Sequence, residues 1–219
     1  MGGADETPEP LRPRLLAAAD QLDSPLSERQ CDQLLAYLEL LQRWNATYNL
    51  TAVREPAQML TLHLADCLAV IAPLRRQWPS ATARVLDVGS GGGLPGVVLA
   101  VMHPEMDITC VDSVGKKAAF VQQVAGELTL RNLRATHARV ENLDAGSFDI
   151  VTSRAFASLA QFTKLTRRCM AANGIWMAMK GKIAEEELRE AEQAVTVFHV
   201  EQLRVPGLDD AARSLVWMR

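Results

Sequence analysis

The residues best suited to chemistry lie between 85 and 96, which read Val-Leu-Asp-Val-Gly-Ser-Gly-Gly-Gly-Leu-Pro-Gly. A short apolar run carries one acid, Asp87. It then breaks into five glycines within eight positions: Gly89, Gly91, Gly92, Gly93 and Gly96. Glycine reaches φ > 0 and lets a ligand approach the backbone closely. The apolar stretch Val97 to Met102 follows at helical length. A strand, a glycine turn and a helix together build a nucleotide site at a helix N-terminus in α/β folds. The competing reading is a tight β–α turn with no ligand. Two well-placed acids, Asp87 and Asp112, weigh against it.

The substring Gly91-x-Gly93-x-x-Gly96 matches the dinucleotide fingerprint, a weak signal alone. Asp112 lies roughly twenty residues further on, ending a second apolar strand, where an acid binds ribose hydroxyls. Asp87 separates the cofactor classes. An anion just before the first glycine repels a pyrophosphate at the helix N-terminus. S-adenosylmethionine has no phosphate; its ammonium and sulfonium are favoured by a carboxylate, directly or through water. The Asp87-x-Gly89-x-Gly91-x-Gly93 pattern resembles the first motif of class I methyltransferases, which implies S-adenosylmethionine. An NAD(P)-dependent oxidoreductase is the rival. The two tyrosines, Tyr37 and Tyr48, form no Tyr-x-x-x-Lys relay.

These residues need a scaffold. Residues 1–13 are acidic and proline-rich and read as disordered, with a short helix over 14–22. Ser27 and Gln30 fit a capping box, and Cys31, Leu34, Leu35, Leu38 and Leu41 then recur at helical spacing. Tyr48-Asn49-Leu50-Thr51 reads as a polar turn. Pro56 suits the first turn of another helix running to about Leu74. Strands over 84–88, 107–112, 133–138, 148–153 and 175–180 alternate with helices over 96–102, 116–128, 159–170 and 184–195. Strands over 197–205 and 214–218 close the chain and should pair antiparallel, because no helix joins them. The expected fold is α/β, a Rossmann-like class I methyltransferase sheet, mainly parallel with an antiparallel last strand. Its expected divisions are a tail (1–24), a helical extension (25–80) and a methyltransferase domain (81–219).

Composition narrows the setting. Of 219 residues 48% are hydrophobic, enough for a sizeable core. Cys31, Cys67, Cys110 and Cys169 form no C-x-x-C pair, so reduced thiols are expected, with no metal and no disulfide framework. There is no signal-peptide core, and the apolar run over 64–74 contains Asp66 and is too short to span a bilayer. The reading is a soluble, cytoplasmic monomer with no membrane partner.

Net charge is −3, yet no Asp or Glu occurs from Ile150 to Ala184. That window holds Arg154, Lys164, Arg167, Arg168, Lys180 and Lys182. A local basic field attracts a phosphate backbone, and Phe156, Phe162 and Trp176 among these residues offer stacking faces for an unstacked base. Core packing of Phe162 and Trp176, and a solvated face at Arg167 and Arg168, are the bland alternatives. Lys116 and Lys117 open a helix, where positive charge opposes the macrodipole, so a phosphate contact is expected there. No Asn/Asp-Pro-Pro-Tyr/Phe element and no Pro-Cys nucleophile is present. Amine methylation and covalent cytosine chemistry are therefore not indicated.

Several runs together are more specific. They are Trp44-Asn45 with Tyr48-Asn49-Leu50-Thr51, His63-x-x-Asp66, and Asp87 through Gly96. Asp112-Ser113-x-x-Lys116-Lys117-x-x-Phe120, Arg139-Val140-Glu141, Phe148 through Ala155 and Lys180-Gly181 complete them. From about Trp44 to the C-terminus the chain resembles the RsmG (GidB) family, guanine-N7 methyltransferases of bacterial 16S ribosomal RNA. It departs from the family's common residues at Cys67, Ala138 and Val140. The resemblance implies cofactor contacts at Gly89, Leu94, Asp112, Val140, Glu141 and Arg154. It also implies a substrate in 16S RNA, the small subunit or an assembly intermediate. Asp87, Gly91, Gly93 and Ser113 join the candidate cofactor set. His63, Asn49 and Arg154 are substrate-side candidates, the turn being the plainer role for Asn49. Guanine N7 is a lone-pair nucleophile without a proton, so alignment rather than a general base is expected. A non-catalytic assembly factor on the same fold is the remaining alternative.

Overall fold

The chain enters its fold through helices, in a computed structural model that describes residues 10–143, 148–154, 156, 158–208 and 211–219. Helix α1 (Leu11–Gln21) starts earlier than expected and takes in residues read as disordered tail. Leu15, Ala18 and Ala19 bury its inner face, and Arg12 pairs with Glu28 and Asp32. The rest of the tail expectation, residues 1–9, lies outside the described residues. Ser27 caps α2 (Glu28–Tyr48) in a full capping box with Gln30. Asn49 ends α2 in the left-handed region, φ 50° and ψ 57°.

The helix expected from Pro56 to about Leu74 is broken. α3 (Pro56–Met59) runs into a π-helical segment, Leu60–Ala65, then α4 (Asp66–Leu68) and, after a turn, α5 (Ile71–Gln77). A π turn adds a residue to the helical turn and re-aims the side chains beyond it. The stretch Pro56–Gln77 is long and apolar enough to cross a membrane by length and composition alone. Of its apolar 18-residue window 72% is buried within the fold, so its apolar character is used by the core.

Among the described residues seven strands form one sheet: β1 (Arg84–Val88), β2 (Asp107–Asp112), β3 (Leu133–His137), β4 (Phe148–Ser153), β5 (Met170–Lys180), β6 (Val197–Gln202) and β7 (Ser214–Met218). Their order is β3-β2-β1-β4-β5-β7-β6. The first five pair in parallel, while β7 pairs antiparallel with both β5 and β6, as expected. Strand order reverses between β1 and β4. In open α/β sheets ligands bind beyond the carboxyl ends of strands at such a switch point. The intervening helices are α6 (Gly96–Met102), α7 (Gly115–Glu127), α8 (Leu159–Thr166) and α9 (Glu185–Glu192).

The helix expected over 159–170 stops at Thr166 and a 3-10 turn, Arg167–Cys169, follows. The Thr166 hydroxyl donates back to Phe162 O and accepts the Trp176 indole N–H at 2.8 Å, fixing the helix end. Met170 then already pairs with Phe148. One buried cluster joins α1, α2 and the π segment to α6, α7 and the sheet, through Leu15, Tyr37, Leu64, Val98, Phe120 and Trp217. A second covers the other face, through Leu86, Val151, Phe162, Trp176 and Val216. The helical extension therefore shares the core of the sheet.

Candidate functional site

The glycine loop is held from below by two carboxylates and from the side by α2. Gly89, Gly91 and Gly93 have φ of 67°, 58° and 88°, conformations that glycine adopts without strain. The Gly89 N–H donates to Val111 O at 2.8 Å. Asp112 accepts the Gly91 N–H at 2.9 Å with one oxygen and the Val114 N–H at 2.8 Å with the other. Tyr37 donates its hydroxyl to Gly92 O at 2.8 Å. At Gly96 an added Cβ would collide with the Cys110 sulfur and the Asp87 carboxylate, so α6 starts directly on β1 and β2.

Asp87 is fully buried. Its Oδ2 accepts the Gly96 N–H at 2.8 Å, while Oδ1 has no partner among the described residues. Burial pushes its carboxyl up to about 7; the Gly96 N–H and the Arg154 charge act in the opposite direction. The sequence placed Asp87 against a ligand. The structure places it under the loop, where it lines neither of the cavities around Gly89.

Those two cavities meet at Gly89. One, about 260 Å³, is lined by Leu50, Thr51, His63, Ser90, Gly91, Leu94, Lys117 and Arg154. The other, about 200 Å³, is lined by Asp112, Ser113, Val140, Glu141 and Phe156. A third, about 260 Å³, shares His63 and Arg154 with the first and extends to Asp66, Met179, Lys180, Gly181 and Arg213. All three lie at the carboxyl ends of β1, β2, β4 and β5. A larger cavity of about 690 Å³ lies at the opposite ends of β2 and β3, bordered by Ser27, Asp107 and Asn132, far from these groups.

Among the described residues His63 and Asp66, three apart in a motif run, share no hydrogen bond or ion pair; His63 lies in the π segment and Asp66 directly follows it. His63 Nε2 is 3.0 Å from Thr51 Oγ1, and Nδ1 has no partner among the described residues. Burial lowers the His63 pKa. Asp66, 4% exposed, instead accepts from Arg154 at 3.3 Å and from Arg213 Nε at 2.7 Å. Arg154 also donates to Leu62 O at 3.0 Å, so it ties β4 to the π turn. Arg213 was missed from sequence: it stands alone before the last strand, with no motif around it. Tyr37 was missed as the loop's support for the same reason.

The candidate substrate residues divide. Asn49 is a turn residue whose Oδ1 accepts from Arg54 at 3.0 Å; its neighbours Leu50 and Thr51 face the cavity. Lys117 lines the first cavity and Lys116 is exposed beside it. Lys164, Arg167, Arg168 and Lys182 are exposed, with Arg168 donating to Glu141 O at 2.9 Å. Lys180 differs from the sequence expectation. Its amine lies 2.9 Å from Glu187 and 3.2 Å from Phe156 O, in a side chain only 14% exposed. The acid-free window is thus not an acid-free surface: α9 brings Glu187 against it, where Glu187 also accepts the Leu159 N–H. Phe162 and Trp176 are buried core residues rather than stacking faces. Phe156 lines the second cavity, its ring 5.2 Å from that of Phe162.

Comparison with known proteins decides the family. A family model described as rRNA small subunit methyltransferase G matches residues 30–216. The chain belongs to that family. Ribosomal RNA small subunit methyltransferase G of Leptothrix cholodnii is 60% identical over 211 residues, covering 96% of each chain. The protein of the same name from Bordetella pertussis is 50% identical, covering 100% of this chain and 97% of its own. Among solved structures, a SAM-dependent methyltransferase from Aquifex aeolicus aligns with TM-score 0.54 at 14% identity, over 75% of this chain and 98% of its own. PH0226 protein from Pyrococcus horikoshii aligns with TM-score 0.55 at 13% identity, over 81% and 98%. At such identities these two likenesses concern the fold, and family membership rests on the sequence relatives.

Proposed function

We propose that this chain transfers a methyl group from S-adenosylmethionine to N7 of a guanine in 16S ribosomal RNA. The observation that carries the reading is the run of three cavities joined first at Gly89 and then at His63 and Arg154. In that order they offer room for an adenosine, a methionine and an acceptor base. S-adenosylmethionine, when bound, supplies an electrophilic methyl on a sulfonium. Asp112, Ser113, Val140 and Glu141 border the adenosine end, while Gly89, Gly91, Leu94 and Arg154 border the methionine end. Gly93 shapes the loop from behind. Asp87, whose Oδ1 lacks a partner among the described residues, acts through the loop: its negative field favours a cationic ligand above Gly89 and disfavours a pyrophosphate. The chain's own work is to orient the base, exclude water and hold the acceptor in line. No proton has to leave N7, which agrees with a site where burial lowers the pKa of His63 and so disfavours its charged form. Lys116 and Lys117, at the rim, suit phosphate contacts.

The test is methyl transfer with labelled cofactor to naked 16S RNA and to whole small subunits from a strain lacking the enzyme, with the product mapped by mass spectrometry. Incorporation at a single 7-methylguanine is expected. Incorporation at another atom overturns the N7 assignment, and none on either substrate favours a non-catalytic assembly factor.

A further inference from the structure

Two large apolar side chains stand exposed among the described residues, Tyr48 at 42% and Val114 at 37%. Both are close in the chain to the first cavity. Val114 directly precedes α7, whose first turn holds Lys116 and Lys117, and Lys117 lines that cavity. Tyr48 is the last residue of α2, two before Leu50 on the cavity wall. Asn45 fixes this short connection: its Nδ2 donates to Val53 O at 3.1 Å and its Oδ1 accepts the Thr51 N–H at 2.9 Å. The Tyr48 ring has an aromatic backing. Its centroid is 5.0 Å from that of Trp44, which is 5.4 Å from that of Phe120 on α7. Phe120 and Gln123 follow Lys116 at i+4 and i+7, so the three lie along one stripe of α7. Gln123 and Tyr48 border one surface hollow. Glu127, the acid in that hollow, pairs with Arg43 at 3.8 Å and accepts from Gln123.

Resting on the function proposed above, we infer that this face receives single-stranded ribosomal RNA, with a base next to the target guanine stacked on Tyr48. Every base has a π-face, so an exposed aromatic ring takes an unstacked base whatever its sequence. The strand's phosphates need cations at the same rim, and Lys116 and Lys117 supply them; neither has an ion pair among the described residues. A protein is the other occupant that an exposed tyrosine fits. Lysine is depleted at protein interfaces, whereas it is a common phosphate contact, and the two lysines beside this small apolar patch favour RNA. A ring held against Trp44 also has little freedom to lose on stacking. Phe162 and Trp176 of the basic window are buried. The helical extension therefore supplies the exposed ring, and with it one wall of the path along which RNA reaches the cavities.

The experiment measures RNA binding and single-turnover transfer, using 16S RNA joined from fragments, both naked and reconstituted into small subunits. Tyr48→Ala should weaken RNA binding roughly 5- to 100-fold and Tyr48→Phe by less than about twofold. Neither should change S-adenosylmethionine affinity, measured by calorimetry without RNA, which also reports that both variants fold. An abasic ribose at one neighbour of the methylated nucleotide should cost wild type a factor similar to that of Tyr48→Ala, and cost the Ala variant almost nothing further. Losses that multiply at both neighbours, or an Ala variant that binds RNA as wild type does, overturn the stacking contact while methyl transfer stands. A deficit on small subunits with none on naked RNA assigns the face to a ribosomal protein and overturns it too. If wild type methylates neither RNA nor subunits, the proposed function falls, and the RNA binding of the Ala and Phe variants still decides the contact.

Discussion

A buried carboxylate with an unpartnered oxygen should make the free protein less stable as pH rises. Asp87 titrates near 3.8 when unfolded and at about 7 in the fold, raised chiefly by burial. Between these values the folded state binds more protons than the unfolded state. Stability from this group is therefore full below pH 3.8 and is lost as pH rises through 7. At ~1.36 kcal/mol per pH unit the full loss is about 4 kcal/mol, and the part falling between pH 5 and 8 is about 2–3 kcal/mol. Asp87→Asn removes the titration while keeping an oxygen for the Gly96 N–H. Its new amide hydrogens carry a fixed cost of ~1–3 kcal/mol if unpaired. The pH dependence of the difference is thus the readout, not its absolute size. His103, lowered to about 4 by burial, gives the opposite trend as pH falls, but it is present in both proteins and cancels. Urea unfolding of both proteins without cofactor at pH 5, 6, 7 and 8 measures the difference. Wild type should lose about 2–3 kcal/mol relative to Asp87→Asn across that range. Parallel curves would refute the argument. If a sulfonium binds above Gly89, cofactor binding near pH 7 should also release up to about half a proton per site from wild type, because Asp87 is half protonated there, and none from the variant, seen by calorimetry in buffers of different ionisation enthalpy.

Three further perturbations address the rest of the site. Arg154→Ala should weaken S-adenosylmethionine binding measured by calorimetry without RNA, whereas Arg213→Ala, which borders only the third cavity, should leave that affinity intact and slow transfer; the reverse pattern would exchange their roles. Lys116→Ala with Lys117→Ala should flatten the log–log salt dependence of RNA binding by roughly 1–2 units, and an unaltered slope would remove both from the phosphate contacts. Gly93→Ala forces a side chain at φ 88°, with its Cβ 2.6 Å from Val97. It should cost at least ~1 kcal/mol in denaturant unfolding, and a neutral effect would mean that the loop relaxes freely.

What could be read from the chain alone was local. The strands Arg84–Val88, Asp107–Asp112 and Phe148–Ser153 and the helix Gly96–Met102 have the bounds their residues imply, because apolar runs and glycine breaks sit side by side. The antiparallel close came from the missing helix. What escaped was made by distance in sequence. Arg213 reaches Asp66 across 147 positions, and no spacing rule announces such a pair. Lys180 sits in a stretch without acids, yet Glu187 neutralises it once α9 folds back. A charge window along the chain therefore overstates the basic surface, and the candidate RNA contacts shift toward residues that remain exposed: Lys116, Lys164, Arg167, Arg168 and Lys182.

The π turn at Leu60–Ala65 had the largest consequence. It sits between two partnerships: Asp66 accepts from Arg154 and Arg213, and His63 lies against Thr51 with its pKa lowered by burial. Charge is thereby concentrated on one side of the shared wall and compensated there. Under the proposed reaction the product base is cationic, and an arginine already paired with Asp66 opposes that developing charge less than a free cation would. Straightening the turn by deleting one residue from Leu60–Ala65 should therefore lower transfer more than cofactor affinity. Equal losses in both would mean that the turn serves only the packing of α3 and α4.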